Sequence, residues 1–211
     1  NIRTSISNSK LGYEHPDNYN SGNGFWVRRR EENALRSTLV LSESGIILSI
    51  GENVFSAVRS NLDQYDIQNF SNDFDDVIAI KMEEIGNVQH GSGMFKIKHD
   101  DWKSKIIVEQ ESFTIKEPLF EDSFIVTFKV KNTSEAIIKD LHLGTFADWD
   151  IYIGSYNNST SYINEDSILI VHGDDFKIGF RPLNTISSMM SIDNKSDDKS
   201  ELEFGLYNGY S

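Results

Sequence analysis

The chain has 211 residues, with 20 Lys and Arg set against 33 Asp and Glu, and no cysteine. The formal net charge of −13 argues against nucleic acid, whose phosphates are held by Lys and Arg, and against an anionic membrane surface. The missing cysteines exclude disulfides and thiolate chemistry, and no apolar run reaches the length of a membrane-spanning helix.

In chain order, residues 2–7 alternate and predict a first strand. Residues 10–24 are rich in Gly, Asn, Asp and Ser and read as loop. Gly22-Asn23-Gly24 permits a bend, after which Phe25-Trp26-Val27 enters the core. Arg28-Arg29-Arg30-Glu31-Glu32 reads as a solvated hairpin tip. Residues 35–42 and 46–50, separated by Ser44-Gly45, read as the two arms of a hairpin. Residues 51–59 fit another strand or a short turn, and a short helix also fits near 53–62. Residues 62–76 read as a long connection pinned by Tyr65, Ile67, Phe70 and Phe74. A strand follows at 77–82, then a Gly-rich turn at 86–93 that carries His90. Residues 105–115 are rich in Ile, Val, Phe and Thr and predict a strand.

Residues 122–151 organise the rest. Phe124, Val126, Phe128 and Val130 share one face of a strand; Ile125, Thr127, Lys129 and Lys131 share the other. Asn132-Thr133-Ser134 supplies turn chemistry. A second strand runs through Ile137, Leu141, Leu143 and Phe146 to Asp148-Trp149-Asp150. The expectation is an antiparallel pair at the centre of a sheet. Further strands are expected at 162–163, 167–171, 176–180 and 202–206, with a turn at Gly173-Asp174-Asp175 and a polar loop over 184–200. The sum is an all-β fold: an antiparallel two-sheet β-sandwich with long polar loops, in one domain over residues 1–211.

Asp148 and Asp150 stand two apart on a strand, so their carboxylates share a face about 7 Å apart. Three chemistries fit them. They could hold calcium through hard oxygen ligands, joined by Asn157, Asn158 or Asp174. They could serve as a general acid and base. Or they could brace loops by accepting backbone N–H bonds while Trp149 fills the core. The five histidines form neither HExxH nor an HxH pair, so zinc has no support. His142 and His172 read as ordinary sheet residues. His90-Gly91-Ser92-Gly93 lacks the G-x-S-x-G elbow, and no phosphate-binding glycine loop is present. Asn132, Asn158 and Asn194 begin N-x-S/T sequences that an Asn- and Ser-rich chain meets by chance. Trp26, Trp102 or a tyrosine could form a platform for a glycan.

The run 124–133, followed by Leu141-His142-Leu143-Gly144-Thr145-Phe146-Ala147-Asp148-Trp149-Asp150-Ile151, resembles a segment of large secreted subtilisin-like serine proteases of Bacteroidetes-type bacteria. That segment lies downstream of the catalytic domain. Gly22–Trp26, 39–50 and 54–59 are similar to upstream parts of it. The resemblance implies a non-catalytic β-sandwich accessory domain, secreted or at the cell surface, whose partner is a neighbouring protease or other domain of the same protein. It transfers no catalytic residue, since the protease's aspartate, His-Gly-Thr and Gly-Thr-Ser-Met-Ala motifs do not occur here. The expectation is a non-enzymatic stretch, a processed product or fragment of a longer secreted protein, with calcium at Asp148 and Asp150 as the one cofactor considered. The alternative is a carbohydrate- or surface-binding adhesin module.

Overall fold

The computed structural model describes residues 2–4, 6–7, 10–11, 25–31, 34–57, 73–149, 151, 159–163, 167–173 and 177–186. Among them the strands are β1 (Ile2–Thr4), β2 (Ile6–Ser7), β3 (Lys10–Leu11), β4 (Phe25–Glu31), β5 (Ala34–Ile50), β6 (Asn53–Ser56) and β7 (Phe74–Ile85). The later ones are β8 (Val88–Ile97), β9 (Ile106–Ile115), β10 (Phe124–Asn132), β11 (Leu141–Trp149), β12 (Ser159–Ile163), β13 (Ile168–His172) and β14 (Lys177–Phe180). No described residue is helical. The chain is all-β, as period-two alternation and abundant β-branched and aromatic residues dictate. Among the described residues the strands form three sheets whose registered pairs run antiparallel, in place of the expected two-sheet sandwich; the all-β class holds, while the sheets do not close into a sandwich. Two compact units divide the chain, Asn1–Asp148 and Trp149–Ser211.

In the first unit, a seven-stranded sheet is built around β5, which is 17 residues long. Its first half pairs with β4, from Glu31↔Ala34 to Phe25↔Leu41. Its last turns to β6, from Ile47↔Ser56 to Ile50↔Asn53. The hairpin expected at Ser44-Gly45 does not form: both residues are buried within β5, and Lys10 of β3 pairs at Gly45. A glycine inside a strand marks close backbone approach as readily as a turn. The reversal falls instead at Gly51-Glu52, between β5 and β6. Residues 53–56 are accordingly strand, not helix.

The second sheet of this unit is a meander in the order β10-β9-β8-β7. Residues 88–93, expected as part of a Gly-rich turn, belong to β8. The turn is the two-residue Gly86-Asn87, where Gly86 has φ +62°, a conformation that costs glycine nothing. β7 begins at Phe74, earlier than expected, and carries bulges between Asp76 and Ile78 and between Ile78 and Lys81. Bulges on an edge strand twist it away from stray pairing.

The organising stretch is divided between the two sheets. β10 pairs with β9 as an edge of the four-stranded sheet, whereas β11 pairs with β5 in the seven-stranded one. The expected central pair of β10 with β11 is therefore replaced by a crossover. Hydrogen bonds at the two ends of the connection accompany it. Asn132 Oδ1 accepts from Ser134 N at 2.9 Å, and Asn132 Nδ2 donates to Ala136 O at 2.7 Å, so the turn chemistry is real. Yet Thr133 is tied back to the entry of β9, donating through N to Lys105 O at 2.8 Å and through Oγ1 to Ser104 O at 3.0 Å. The far end of the connection is tied to the other sheet, where Gly51 N donates to Asp140 O at 3.1 Å.

The core of this unit gathers Ile46, Leu48, Ile50, Phe55 and Ala57 from the β5–β6 region with Phe74, Phe95, Ile97, Ile106 and Val108 from β7, β8 and β9. Phe128 and Val130 pack against it, on the face of β10 that alternation assigned to the interior. Each fully buried side chain of this size contributes about 1.5–3 kcal/mol of transfer free energy.

In the second unit, β12, β13 and β14 form a three-stranded antiparallel sheet. The register runs from Ser159↔His172 to Ile163↔Ile168 on one side of β13 and from Leu169↔Phe180 to His172↔Lys177 on the other. β12 begins at Ser159, three residues ahead of the strand expected at 162–163. The strand expected at 202–206 lies outside the described residues.

Candidate functional site

The four-stranded sheet turns the odd positions of β8 (Gly91, Phe95 and Ile97) and the even positions of β9 (Ile106, Val108, Gln110 and Ser112) into the interior. The alternate positions form its outer face, and the pairing sets them in rows. One row reads Glu83, His90, Phe113, Ile125 across β7, β8, β9 and β10. The next reads Lys81, Ser92, Glu111, Thr127, then Ile78, Met94, Glu109, Lys129, then Asp75, Lys96, Ile107, Lys131. Acidic and basic side chains thus fall within reach of one another, as cross-strand neighbours do.

His90 is the best-enclosed ionisable group on this face, with its side chain 16% exposed. Its ring stacks on Phe113 at 4.8 Å and 12°. Nδ1 lies 3.0 Å from Glu83 Oε1, and the buried Nε2 lies 3.4 Å from Glu111 Oε1. Only Nδ1 shares a hydrogen bond with a carboxylate, that of Glu83; Nε2 lies near Glu111 without a hydrogen bond. The carboxylates meet different ring nitrogens, so the trio does not converge on one metal position.

Glu109 lies between Lys131, which donates to its Oε1, and Lys129, whose Nζ is 3.7 Å from Oε2. The Lys131 hydrogen bond, reinforced by the charges of both lysines, holds the Glu109 carboxyl below the usual carboxylate range. On the far edge Lys116 reaches Glu84 Oε1 at 2.5 Å, and Lys98 lies 3.7 Å from Asp75 Oδ1. Beyond the sheet end, Lys103 bonds Asp100 at 2.7 Å, which lowers the acid's pKa and raises the amine's.

Of the residues singled out from sequence, several lie outside the described part of the chain. Asp148 lies in β11; its side chain and the whole of Asp150 are outside the described residues, as are Asn157, Asn158 and Asp174. Trp149 is half-buried. Among the described residues no three His, Cys, Asp or Glu side chains gather as a metal site. His142 is exposed on β11, and His172 shares a 2.6 Å hydrogen bond with Ser161 Oγ. Trp102 is half-buried against the core, 6.5 Å edge-on from Phe55, with Lys105 Nζ 4.8 Å over its ring. Lys105 thus lies over one face of the ring. Asn132, first residue of an N-x-S/T sequence, has its amide committed to Ala136 O.

A Gly-rich turn over 86–93 hides the His90 cluster, because a turn gives His90 no cross-strand partner. The signal was present: Gly-Asn is a two-residue hairpin turn, and residues equidistant from it pair as Ile85↔Val88, Glu84↔Gln89 and Glu83↔His90. No family model, curated protein or solved structure matches the chain.

Proposed function

We propose that this chain is a non-catalytic β module of an exported bacterial protein, acting by structural support of a neighbouring domain in the same polypeptide. The neighbour implied by the sequence resemblance is a subtilisin-like protease. The observation that carries the reading is the use made of ionisable side chains on the four-stranded sheet. Glu83 and Glu111 flank His90, Glu109 is bound by Lys129 and Lys131, and Glu84 is bound by Lys116. Groups of the kind that catalysis recruits are here spent on fastening strand to strand across an open face. Such a sheet resists shear and presents a fixed surface.

The test is to produce the full open reading frame with and without residues 1–211. The expected result is a lower yield and melting temperature of the neighbouring domain on deletion, with unchanged turnover per folded molecule. Hydrolysis of a peptide or glycan by the purified chain alone, abolished by His90→Gln, would overturn the proposal.

A further inference from the structure

We propose that Met82 is a site of oxidation by hydrogen peroxide or an organic hydroperoxide, and that the buried hydroxyl of Ser112 holds the resulting sulfoxide. Met82, Gly91 and Ser112 are direct neighbours across β7, β8 and β9. Gly91 has no side chain, and the space above it is taken from both sides. A Cβ at Gly91 would lie 2.5 Å from Ser112 Oγ and 2.7 Å from Met82 Sδ, so both atoms crowd one point. Their exposures differ sharply: Met82 is 56% exposed and Ser112 1%. The Met82 side chain is thus largely open to a small oxidant, while its sulfur lies toward the position where the buried Ser112 hydroxyl sits. That donor is poorly used. Ser112 Oγ reaches Gly91 O at 3.5 Å, the long limit of a hydrogen bond, and a thioether is a weak acceptor.

In the reaction a sulfur lone pair attacks one peroxide oxygen and the O–O bond breaks. The second oxygen leaves with the bonding pair and takes up the proton as water, or as an alcohol from a hydroperoxide. The sulfur loses two electrons, and the peroxide gains them. The product carries a polar S=O group on a flexible side chain. Rotation about the terminal bonds of Met82 brings that oxygen to the Ser112 hydroxyl, a far better acceptor than the original sulfur. Oxidation thus adds a hydrogen bond from β7 to β9 that spans Gly91.

The test treats the intact chain with hydrogen peroxide and follows each methionine by peptide mass spectrometry. Met82 is expected to oxidise several-fold faster than the half-buried Met94. Oxidation is then expected to lower the melting temperature of Ser112→Ala by several degrees more than that of the wild type, a difference that disappears in a Met82→Leu background. Equal shifts in wild type and Ser112→Ala, or equal rates at Met82 and Met94, overturn the proposal. A second pair of variants needs no oxidant and leaves Ser112 in place. Met82→Gln, which offers an acceptor oxygen at similar reach, is expected to melt above Met82→Leu; the reverse order counts against the proposal.

Discussion

Asp73 and Ser56 bind one another twice. Ser56 N donates to Asp73 Oδ2 at 2.8 Å, and Asp73 N donates to Ser56 O at 3.1 Å. Ser56 ends β6 in the seven-stranded sheet, and Asp73 stands just before β7 in the four-stranded one. Asp73 O also accepts from Lys98 N at 2.8 Å, beyond the end of β8. One residue therefore fastens three strand ends of the two sheets that enclose the core. Asp73→Ala removes a charged acceptor from a backbone N–H and is expected to cost about 1–3 kcal/mol. Asp73→Asn, whose amide oxygen can still accept, is expected to cost less. Urea unfolding with an unchanged m-value checks both.

Among the described residues Phe95 is the largest fully buried side chain, and its ring meets Phe74 at 5.1 Å and 74°. It lies where β8 faces the β5–β6 residues of the core. Phe95→Ala should destabilise the first unit by about 3–5 kcal/mol, through lost transfer energy and an unfilled cavity. A thermal or urea midpoint close to wild type would show that Phe95 is not central to that core.

Local chemistry was readable where it depended on neighbours in sequence. The alternation of 124–130 gave the correct inward face, and the Asn132 side chain makes the turn bonds its type predicts. What was not readable was which strand each segment would join. β10 looks as though it should fold back on β11, because consecutive strands commonly pair. The bonds at the two ends of the connection, Thr133 to Lys105 and Ser104 and Gly51 to Asp140, span about thirty or more residues each and leave no local pattern. Ser44-Gly45 misled for a related reason: a small pair marks a turn or a buried crossing equally well, and only the approach of β3 tells which. The His90 cluster was legible in principle, since the Gly86-Asn87 turn fixes its partner on β7. Its second partner, Glu111, required the pairing of β8 with β9.

Lys131 should set the titration of Glu109. The carboxyl is held low in the folded chain by the Lys131 hydrogen bond first, then by the charges of Lys131 and Lys129. A depressed carboxylate contributes stability above its unfolded-state pKa and loses it as pH falls through the folded-state value. Lys131→Gln is thus expected to move the Glu109 titration upward, read by carboxyl-carbon NMR. The variant should be slightly less stable than wild type at neutral pH, with the gap closing as acid protonates Glu109 in both. A gap that widens on acidification would contradict this assignment.

Gly91 cannot accept even a methyl group without movement. The added carbon would stand 2.5 Å from Ser112 Oγ, 2.7 Å from Met82 Sδ and 3.5 Å from Met82 Cε. The two obstacles yield unequally. Met82 is unbranched and largely exposed, so its end can swing away at low cost. Ser112 is 1% exposed on a central strand, so its hydroxyl has far less room to turn away. Gly91→Ala is therefore expected to destabilise by about 1–3 kcal/mol, as overpacking does. Adding Met82→Ala should recover only a minor part, and adding Ser112→Gly the larger part. Measuring the two double variants against Gly91→Ala in urea separates the contributions. If Met82→Ala restores full stability, the constraint on β8 comes from the edge strand and not from β9.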